Sequence, residues 1–303
     1  MEGMEIMKRK ILIIGASGFI GRNLKEFLEK EKDLYGIYAP TSNEFDVTDE
    51  KAVKEQLEKQ YYDVIIHAAV YNPRVGSNKD PSKELEKNLR MFFNFERYQN
   101  FYGKMLYFGS GAEFDKRGEI SMINEDDAGN GIPETDYGLY KYIINQSIQN
   151  SEKIYNLRIF GLFGKYEDWK KTFISGACCK ALKGLPITIR QNVYFDYLYI
   201  DDFCKIVKWF IDHDVKHRSY NITSGKRIDL LTLAGIVKKV SGKELPVYVC
   251  YEGLANEYSA NNQRLLNELD SFSFTPMEDA IRDLYIWYQN HEKNIDMHSL
   301  LYQ

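Results

Sequence analysis

The 303-residue sequence lacks a long hydrophobic run, an excess of charge of one sign and a cysteine pattern typical of a metal or redox site. No apolar stretch reaches the ~18 residues that cross a bilayer, and the first ten residues hold no signal-like apolar block. The four cysteines show neither CxxC nor Cys/His spacing, so we expect free thiols and no metal. The net charge of −4 is interspersed, which favours neither nucleic acid nor a membrane as partner. We expect a cytoplasmic protein.

What the sequence does have is a glycine motif near its start, between an apolar run and a helical pattern. Residues 11–14 are all aliphatic, as in a strand buried on both faces of a parallel sheet. Gly15, Gly18 and Gly21 follow at three-residue spacing, and residues 19–28 have helical periodicity. Such glycines permit a sharp turn, the close approach of a diphosphate and tight helix packing, while the helix amides favour the negative charge. The motif therefore predicts dinucleotide binding.

The next predicted strand, residues 34–38, runs into a segment without an acid at its tip. In the dinucleotide fold an acid at this point contacts the adenosine ribose and selects NAD. Arg22 could supply positive charge here, and Thr41 or Ser42 could donate hydrogen bonds to a 2′-phosphate. We therefore predict a preference for NADP(H), with NAD(H) as the alternative.

Two further predicted strands end in small or polar residues. Residues 64–66 lead into His67, Ala68 and Ala69, and residues 105–108 lead to Ser110. Ligands of open α/β sheets bind at the carboxyl ends of the strands, so all of these residues should lie near the cofactor. His67 itself is interpreted as structural. Asp49 is predicted to cap the helix that connects the strand over residues 34–38 with the strand over residues 64–66.

A Tyr-x-x-x-Lys pair follows a predicted loop over residues 113–133 and opens the next helix. Tyr137 and Lys141 are four residues apart and therefore share one helix face. An ammonium beside a phenol stabilises the phenolate and lowers a pKa that is ordinarily ~10. Tyr137 is thus a candidate proton donor near neutral pH.

The order of these motifs resembles the extended short-chain dehydrogenases/reductases of the nucleotide-sugar epimerase/dehydratase group. The matching residues are 15–21, Asp46 and Val47, 67–69, Ser110, Tyr137 and Lys141, 157–164, 195–202 and 220–225. The resemblance implies an α/β fold: a Rossmann-type doubly wound parallel sheet with a smaller mixed α/β C-terminal substrate domain. The cofactor domain would cover residues 1–164 with a return over 191–222, and the sugar-nucleotide domain 165–190 and 223–303. It also implies a homodimer formed through the helices over residues 82–101 and 135–150.

The resemblance assigns a role to each matching residue. The expected cofactor contacts are Gly15, Ser17, Gly18, Phe19, Ile20, Gly21, Arg22, Thr41, Ser42, Asp46, Val47, His67, Ala68, Ala69, Tyr137 and Lys141. The expected substrate contacts are Ser110, Gly111, Ala112, Tyr137, Arg190 and Arg264. The expected catalytic set is Ser110, Tyr137 and Lys141.

The residues after Ser110 help to choose a reaction within the group. Dehydratases place an Asp-Glu pair there, whereas this chain has Gly111 and Ala112. Enzymes resembling GDP-fucose synthase place a cysteine at the position of Ala112 and use a later histidine, and none is found around residues 175–177. What is left suffices to reduce the C4 ketone of a nucleotide-linked 4-keto-6-deoxy sugar.

Two other readings stay open. The same residues would serve a 4-epimerase with tightly bound NAD. A non-catalytic NADP(H)-binding sensor or scaffold is disfavoured by the intact Ser110, Tyr137 and Lys141. Two family contacts to the substrate are absent, because Phe195 replaces an arginine and Gly161 an asparagine. Arg190 or Arg264 could compensate.

Overall fold

Alternating strands and helices in the first half of the chain build a parallel sheet. The computed structural model describes residues 8–73 and 78–301. The strands of the main sheet are β1 (Arg9–Ile14), β2 (Tyr35–Tyr38), β3 (Tyr62–His67), β4 (Tyr102–Ser110), β6 (Ile154–Ile159) and β10 (Ser219–Ile222). Their spatial order is β10-β6-β4-β3-β1-β2. The central strands are parallel, and residues 11–14 of β1 are at most 2% exposed.

The strand order reverses between β1 and β3. The chain leaves β1 to form β2 on one side and then returns to form β3 on the other. The loops that follow β1 and β3 therefore turn in opposite directions and leave a crevice at the carboxyl ends of the strands, where ligands of such sheets bind.

Helices cover this sheet. They are α1 (Phe19–Leu28), α2 (Glu50–Lys59), α3 (Glu84–Glu96), α4 (Asp136–Ile148) and α6 (Ile200–Asp212). The predicted cap of α2 is confirmed, since the Asp49 carboxylate accepts a hydrogen bond from the Lys51 amide (2.9 Å). The helix predicted over residues 82–101 is interrupted, with α3 flanked by single 3₁₀ turns. Within the described ranges, no helix has the length and apolar character needed to cross a membrane.

The chain divides into two compact units. The first takes in the described residues up to Lys116, Glu125–Ile159 and Ile206–Tyr220. The second takes in Arg117–Asn124, Phe160–Lys205 and the described residues from Asn221 onward.

The second unit has two smaller sheets and its own helices. Its strands are β5 (Ile120–Ile123), β7 (Gly161–Phe163), β8 (Ile187–Asn192), β9 (Tyr194–Tyr199), β11 (Arg227–Asp229), β12 (Val247–Leu254) and β13 (Tyr258–Ala260). Its helices are α5 (Phe173–Leu182), α7 (Leu230–Ser241), α8 (Gln263–Leu266), α9 (Met277–Asn290) and α10 (Met297–Leu301). The mixed sheet runs β11-β9-β13-β5 with β7 beside β9, and β12 pairs with β8.

The prediction of a continuous loop over residues 113–133 is wrong. Strand β5 interrupts it and pairs with β13, which lies almost 140 residues later in the sequence and could not be recognised as a partner from local pattern. The apolar pattern also predicts a helix over residues 265–269, whereas the short α8 begins at Gln263 and ends at Leu266.

The glycine motif is held by close backbone contacts. A Cβ at position 21 would lie 2.3 Å from the carbonyl oxygen of Gly15. We predict that Gly21→Ala lowers the free energy of unfolding by about 1–3 kcal/mol, because α1 must move away from β1. Urea denaturation would measure it.

Gly235→Ala is the matched control for this substitution. Gly235 is exposed within α7, and a Cβ there would have no neighbour within 4 Å. This control should gain about 0.5–1 kcal/mol from its higher helix propensity. Equal stabilities of the two variants would contradict the packing argument.

Candidate active site

A cavity of about 470 Å³ opens at the point where the strand order reverses. It is lined by eight of the predicted cofactor contacts: Gly15, Ser17, Gly18, Ser42, Asp46, Val47, Ala68 and Ala69. Gly15 has a φ of +83°, and a Cβ there would lie 2.5 Å from the amide nitrogen of Ala69. Gly18 precedes the first turn of α1 as its N-cap and offers no capping side chain. The N-terminal amides of α1 are therefore available to a diphosphate at this cavity.

The other predicted cofactor contacts at this end of the sheet lie beside the cavity. Phe19 and Ile20 form the first turn of α1, and Gly21 packs under it against Gly15. The ring of His67 is buried between the rings of Phe95 and Tyr107. Burial lowers the pKa of His67 to about 3, so the imidazole is neutral at physiological pH.

Two donors expected to favour a 2′-phosphate already have acidic partners. The Thr41 amide and hydroxyl both donate to the Glu44 carboxylate, each at 2.8 Å, and these bonds lower the pKa of Glu44. Arg22 pairs with Glu26 at 3.3 Å on the exposed side of α1. No acid stands at the end of β2 itself, as the sequence indicates, but the chain folds Glu44 back onto Thr41.

Two lysines that the sequence analysis did not single out also line the cavity. The Lys79 and Lys87 ammonium groups lie 4.9 and 4.7 Å from the centre of the Tyr71 ring. Buried Asn88 fixes Tyr71, since its side chain bonds both the amide (2.9 Å) and the carbonyl (2.8 Å) of that residue. Isolated lysines near a turn carry no sequence signal, so folding alone identifies this pair.

Ser110 ends β4 and caps a single 3₁₀ turn over residues 111–113. Its hydroxyl accepts a hydrogen bond from the Ala112 amide (3.1 Å), and its own amide donates to Glu113 (3.0 Å). The side chains of Ala112 and Glu113 are buried, and Gly111 is buried with them. Glu113 is fully buried and pairs with the Nε of buried Arg158 at 2.8 Å. Sequence reasoning missed this pair, whose members are 45 residues apart.

The start of α4 lies against this turn. Thr135 caps α4 by accepting a hydrogen bond from the Gly138 amide (3.1 Å). A Cβ at Gly138 would lie 2.7 Å from the carbonyl oxygen of Ala112, so only glycine allows this approach. Tyr137, adjacent to that contact, is partly buried and packs edge-on against Tyr140. The fold thus brings the Ser110 turn and the Tyr-x-x-x-Lys helix together.

Lys141 is buried between α4 and β4. Its ammonium donates to the carbonyl oxygen of Phe108 and lies 4.5 Å from the centre of the Tyr107 ring. Burial lowers the pKa of Lys141 from 10.5 to about 7, and the negative charge of Glu113 opposes that shift. Near neutral pH this side chain can therefore exchange a proton, as the ammonium loses one or the amine gains one.

Comparison with known proteins places this arrangement in a family. Residues 11–223 match the model of the NAD dependent epimerase/dehydratase family. The chain belongs to that family. The resemblance drawn from the sequence is thus confirmed, and the nicotinamide cofactor of the family agrees with the cavity at the glycine motif. Family membership makes the protein an enzyme of the nucleotide-sugar oxidoreductase type.

Individual relatives in this family are distant. A bifunctional UDP-glucose 4-epimerase and UDP-xylose 4-epimerase from Arabidopsis thaliana is 22% identical, covering 93% of this chain and 95% of the relative. The solved structure of a GDP-L-fucose synthetase from Naegleria fowleri bound to NADP has a TM-score of 0.80 at 18% identity, covering 96% and 97% of the two chains. A GDP-mannoheptose C4 reductase from Campylobacter jejuni with NADP bound has a TM-score of 0.78 at 18% identity, covering 95% and 100%. The Rossmann-type α/β fold class is confirmed.

The second unit carries the remaining candidate substrate residues of this family member. Arg190 is exposed on β8, 5.9 Å from the centre of the Tyr251 ring, and Arg264 is partly buried in α8. Gly161 cannot carry the usual family side chain, because a Cβ there would lie 2.8 Å from the carbonyl oxygen of Asp196.

A second cavity, of about 310 Å³, lies at the start of α5 in this unit. Lys170, Lys171 and Lys180 line it together with Thr172 and Thr188. Lys180 is 6% exposed and donates to the Thr188 hydroxyl at 2.6 Å, and burial lowers its pKa. Sequence analysis did not predict this basic cavity.

Proposed function

We propose that the protein is an NADPH-dependent reductase of the C4 ketone of a nucleoside-diphosphate-linked 4-keto-6-deoxy sugar. The observation that carries this proposal is the burial of Glu113 in its ion pair with Arg158. The acid that follows Ser110 is thereby withdrawn from acid–base work. Ser110, Tyr137 and Lys141 then form a minimal set for carbonyl reduction, which needs no base beside the ketone.

The roles of these residues follow from their chemistry. A bound reduced nicotinamide would supply hydride to the ketone carbon. Tyr137 gives its phenolic proton to the carbonyl oxygen, and Ser110 orients that oxygen with its hydroxyl. Lys141 holds positive charge one helical turn from Tyr137, where it stabilises the phenolate left behind. Ser110, Gly111 and Ala112 form the turn against which the sugar would lie.

We also propose which cofactor the protein uses and which unit binds each ligand. Lys79 and Lys87 place two positive charges at the wall of the glycine-loop cavity, which supports binding of a phosphate-rich cofactor such as NADP(H). The first unit would hold the cofactor and the second the sugar nucleotide. NADPH and nucleotide sugars are both soluble and charged, which suits a cytoplasmic reaction.

A second candidate function is 4-epimerisation with tightly bound NAD. The similarity to the Arabidopsis epimerase along 93% of the chain favours it. An epimerase oxidises and re-reduces the same carbon, and the same Tyr137 and Lys141 would serve both steps.

Turnover assays distinguish the reductase from the epimerase and from a non-catalytic protein. With a panel of GDP-, UDP- and dTDP-linked 4-keto-6-deoxy sugars, we expect NADPH oxidation at 340 nm for at least one sugar. We also expect protein that purifies without NAD and is stabilised thermally by NADPH. Tightly bound NAD with interconversion of 4-hydroxy sugars would establish the epimerase, and NADPH binding without turnover would establish a sensor or scaffold.

Two tyrosines of α4 provide the mutational test. Tyr137→Phe should lower kcat by about 10²–10⁴-fold, because the proton donor is lost, with NADPH affinity nearly unchanged. Tyr142→Phe removes a neighbouring phenol on another side of the helix and should stay within about twofold of wild type. A normal rate for Tyr137→Phe would remove it from the mechanism.

The basic cavity of the second unit is our proposed site for the substrate diphosphate. Lys180 donates to the Thr188 hydroxyl at the wall of this cavity, where its positive charge would attract an anion. Lys180→Met should raise KM for the nucleotide sugar by about 10–100-fold, the loss of one hydrogen bond to a charged group. NADPH affinity should not change.

Lys183→Met is the matched control. Lys183 also lies on α5, at its C-cap, but pairs with Glu292 at 2.8 Å and does not line this cavity. An unchanged KM in Lys180→Met would leave the exposed Arg190 and the partly buried Arg264 as the candidates for substrate binding.

We further propose a homodimer. Helices α3 and α4 pack side by side in the first unit, where the Ser147 hydroxyl donates to Glu96. Two such pairs would bury their outer faces in a four-helix interface. Sedimentation equilibrium should give a mass twice the 35.5 kDa of the chain, and a monomer mass would contradict the proposal.

A further inference from the structure

Glu113 is the most completely enclosed acid of the described active-site region. It is 0% exposed, as is its partner Arg158. One carboxylate oxygen accepts from the Ser110 amide (3.0 Å) and the other from Arg158 Nε (2.8 Å). The Asn156 side-chain amide donates to both oxygens, at 3.1 and 3.0 Å. A buried charge is retained only where it is this thoroughly paired.

The network continues from Glu113 into α4. The same Asn156 amide donates to the side-chain oxygen of Asn145 at 2.9 Å. Asn145 lies one helical turn after Lys141 and two turns after Tyr137, on the same face of α4. Hydrogen bonds therefore connect the amide of Ser110 to the helix that carries the other two candidate catalytic residues.

The backbone of β4 is adapted to this carboxylate. A Cβ at Gly109 would lie 2.2 Å from Glu113 Oε1 and 2.0 Å from Asn156 Oδ1. Any side chain at position 109 would displace the network, so glycine directly before Ser110 is a condition for placing an acid at position 113.

We propose that Glu113 is a positioning residue: its buried carboxylate fixes the Ser110 turn and, through Asn156 and Asn145, aligns that turn with the helix of Tyr137 and Lys141. This inference rests on the proposed function, which it deepens. In the proposed reaction, Glu113 contacts neither the substrate nor the cofactor.

In this proposal the negative charge of Glu113 also affects the protonation of Lys141. Lys141 faces His67 of β3, Tyr107 of β4 and, on its own helix, Tyr140, while Arg158 of β6 faces Glu113. His67 is neutral, and burial raises the pKa of Tyr107 and Tyr140 well above neutrality. Glu113 is then the group that favours the charged form of Lys141. Without its charge, the Lys141 proton would be lost at a lower pH.

The test is Glu113→Gln/Arg158→Met in the full chain. The double change removes both charges together, because Glu113→Gln alone would leave Arg158 buried without its counter-charge. We expect kcat to fall about 10–100-fold through misplacement of the reacting groups, with the Kd for NADPH within about twofold. The alkaline limb of the kcat profile should move to lower pH by at least about half a unit. A purely structural defect would lower the rate equally at every pH.

The control is Glu125→Gln, which removes another buried acid of the same unit outside the Ser110 turn. Its pH profile should match wild type. An unshifted alkaline limb in the double variant would overturn the proposal.

The pH dependence of the free energy of unfolding tests the role of Glu113 without substrate, and therefore independently of the proposed function. Because the pKa of Lys141 is lowered on folding, its contribution makes the free energy of unfolding rise with pH from about 7 toward 10.5. In the double variant this rise should begin at a lower pH than in wild type, measured by urea denaturation. If wild type reduces no 4-keto sugar, the proposed function fails, and an unshifted onset would then reject the role of Glu113 as well.

Discussion

The arrangement of the described active-site region depends on one constraint, the parallel pairing of β1, β3 and β4. Parallel neighbours end at the same edge of a sheet, so the residues that follow these three strands meet although they are more than 40 residues apart. The glycine loop after β1, the small residues after β3 and the Ser110 turn after β4 are thus gathered by backbone hydrogen bonding alone. Side-chain contacts then fix the conformations of these three segments.

Sequence predicted the features that are local. An aliphatic run followed by spaced glycines indicated β1 and α1, and Asp49 indicated the start of α2, because strand burial and helix capping are encoded within a few residues. Eight predicted residues line the glycine-loop cavity for the same reason. The family resemblance extended these local signals to the whole fold.

What sequence did not predict is set by contacts between distant segments. Glu113 reads as a polar loop residue until β6 brings Arg158 and Asn156 against it. Glu44 lies beyond the end of β2, and only the turn of the chain returns it to Thr41. Strand β5 has no recognisable pattern without β13. In each case the decisive partner is recruited by the tertiary structure, so neither composition nor periodicity could have named it.

The close fit at Gly109 has a consequence for how this protein and its homologues can diverge. Because the Glu113 carboxylate and the Asn156 side chain fill the space where a Cβ would stand, a substitution at position 109 is tolerated only after both have changed. Loss of the acid in turn leaves Arg158 without its charge partner. Positions 109, 113, 156 and 158 should therefore co-vary among homologues. The four residues should be kept together or replaced together by an apolar set, and intermediate combinations should be selected against.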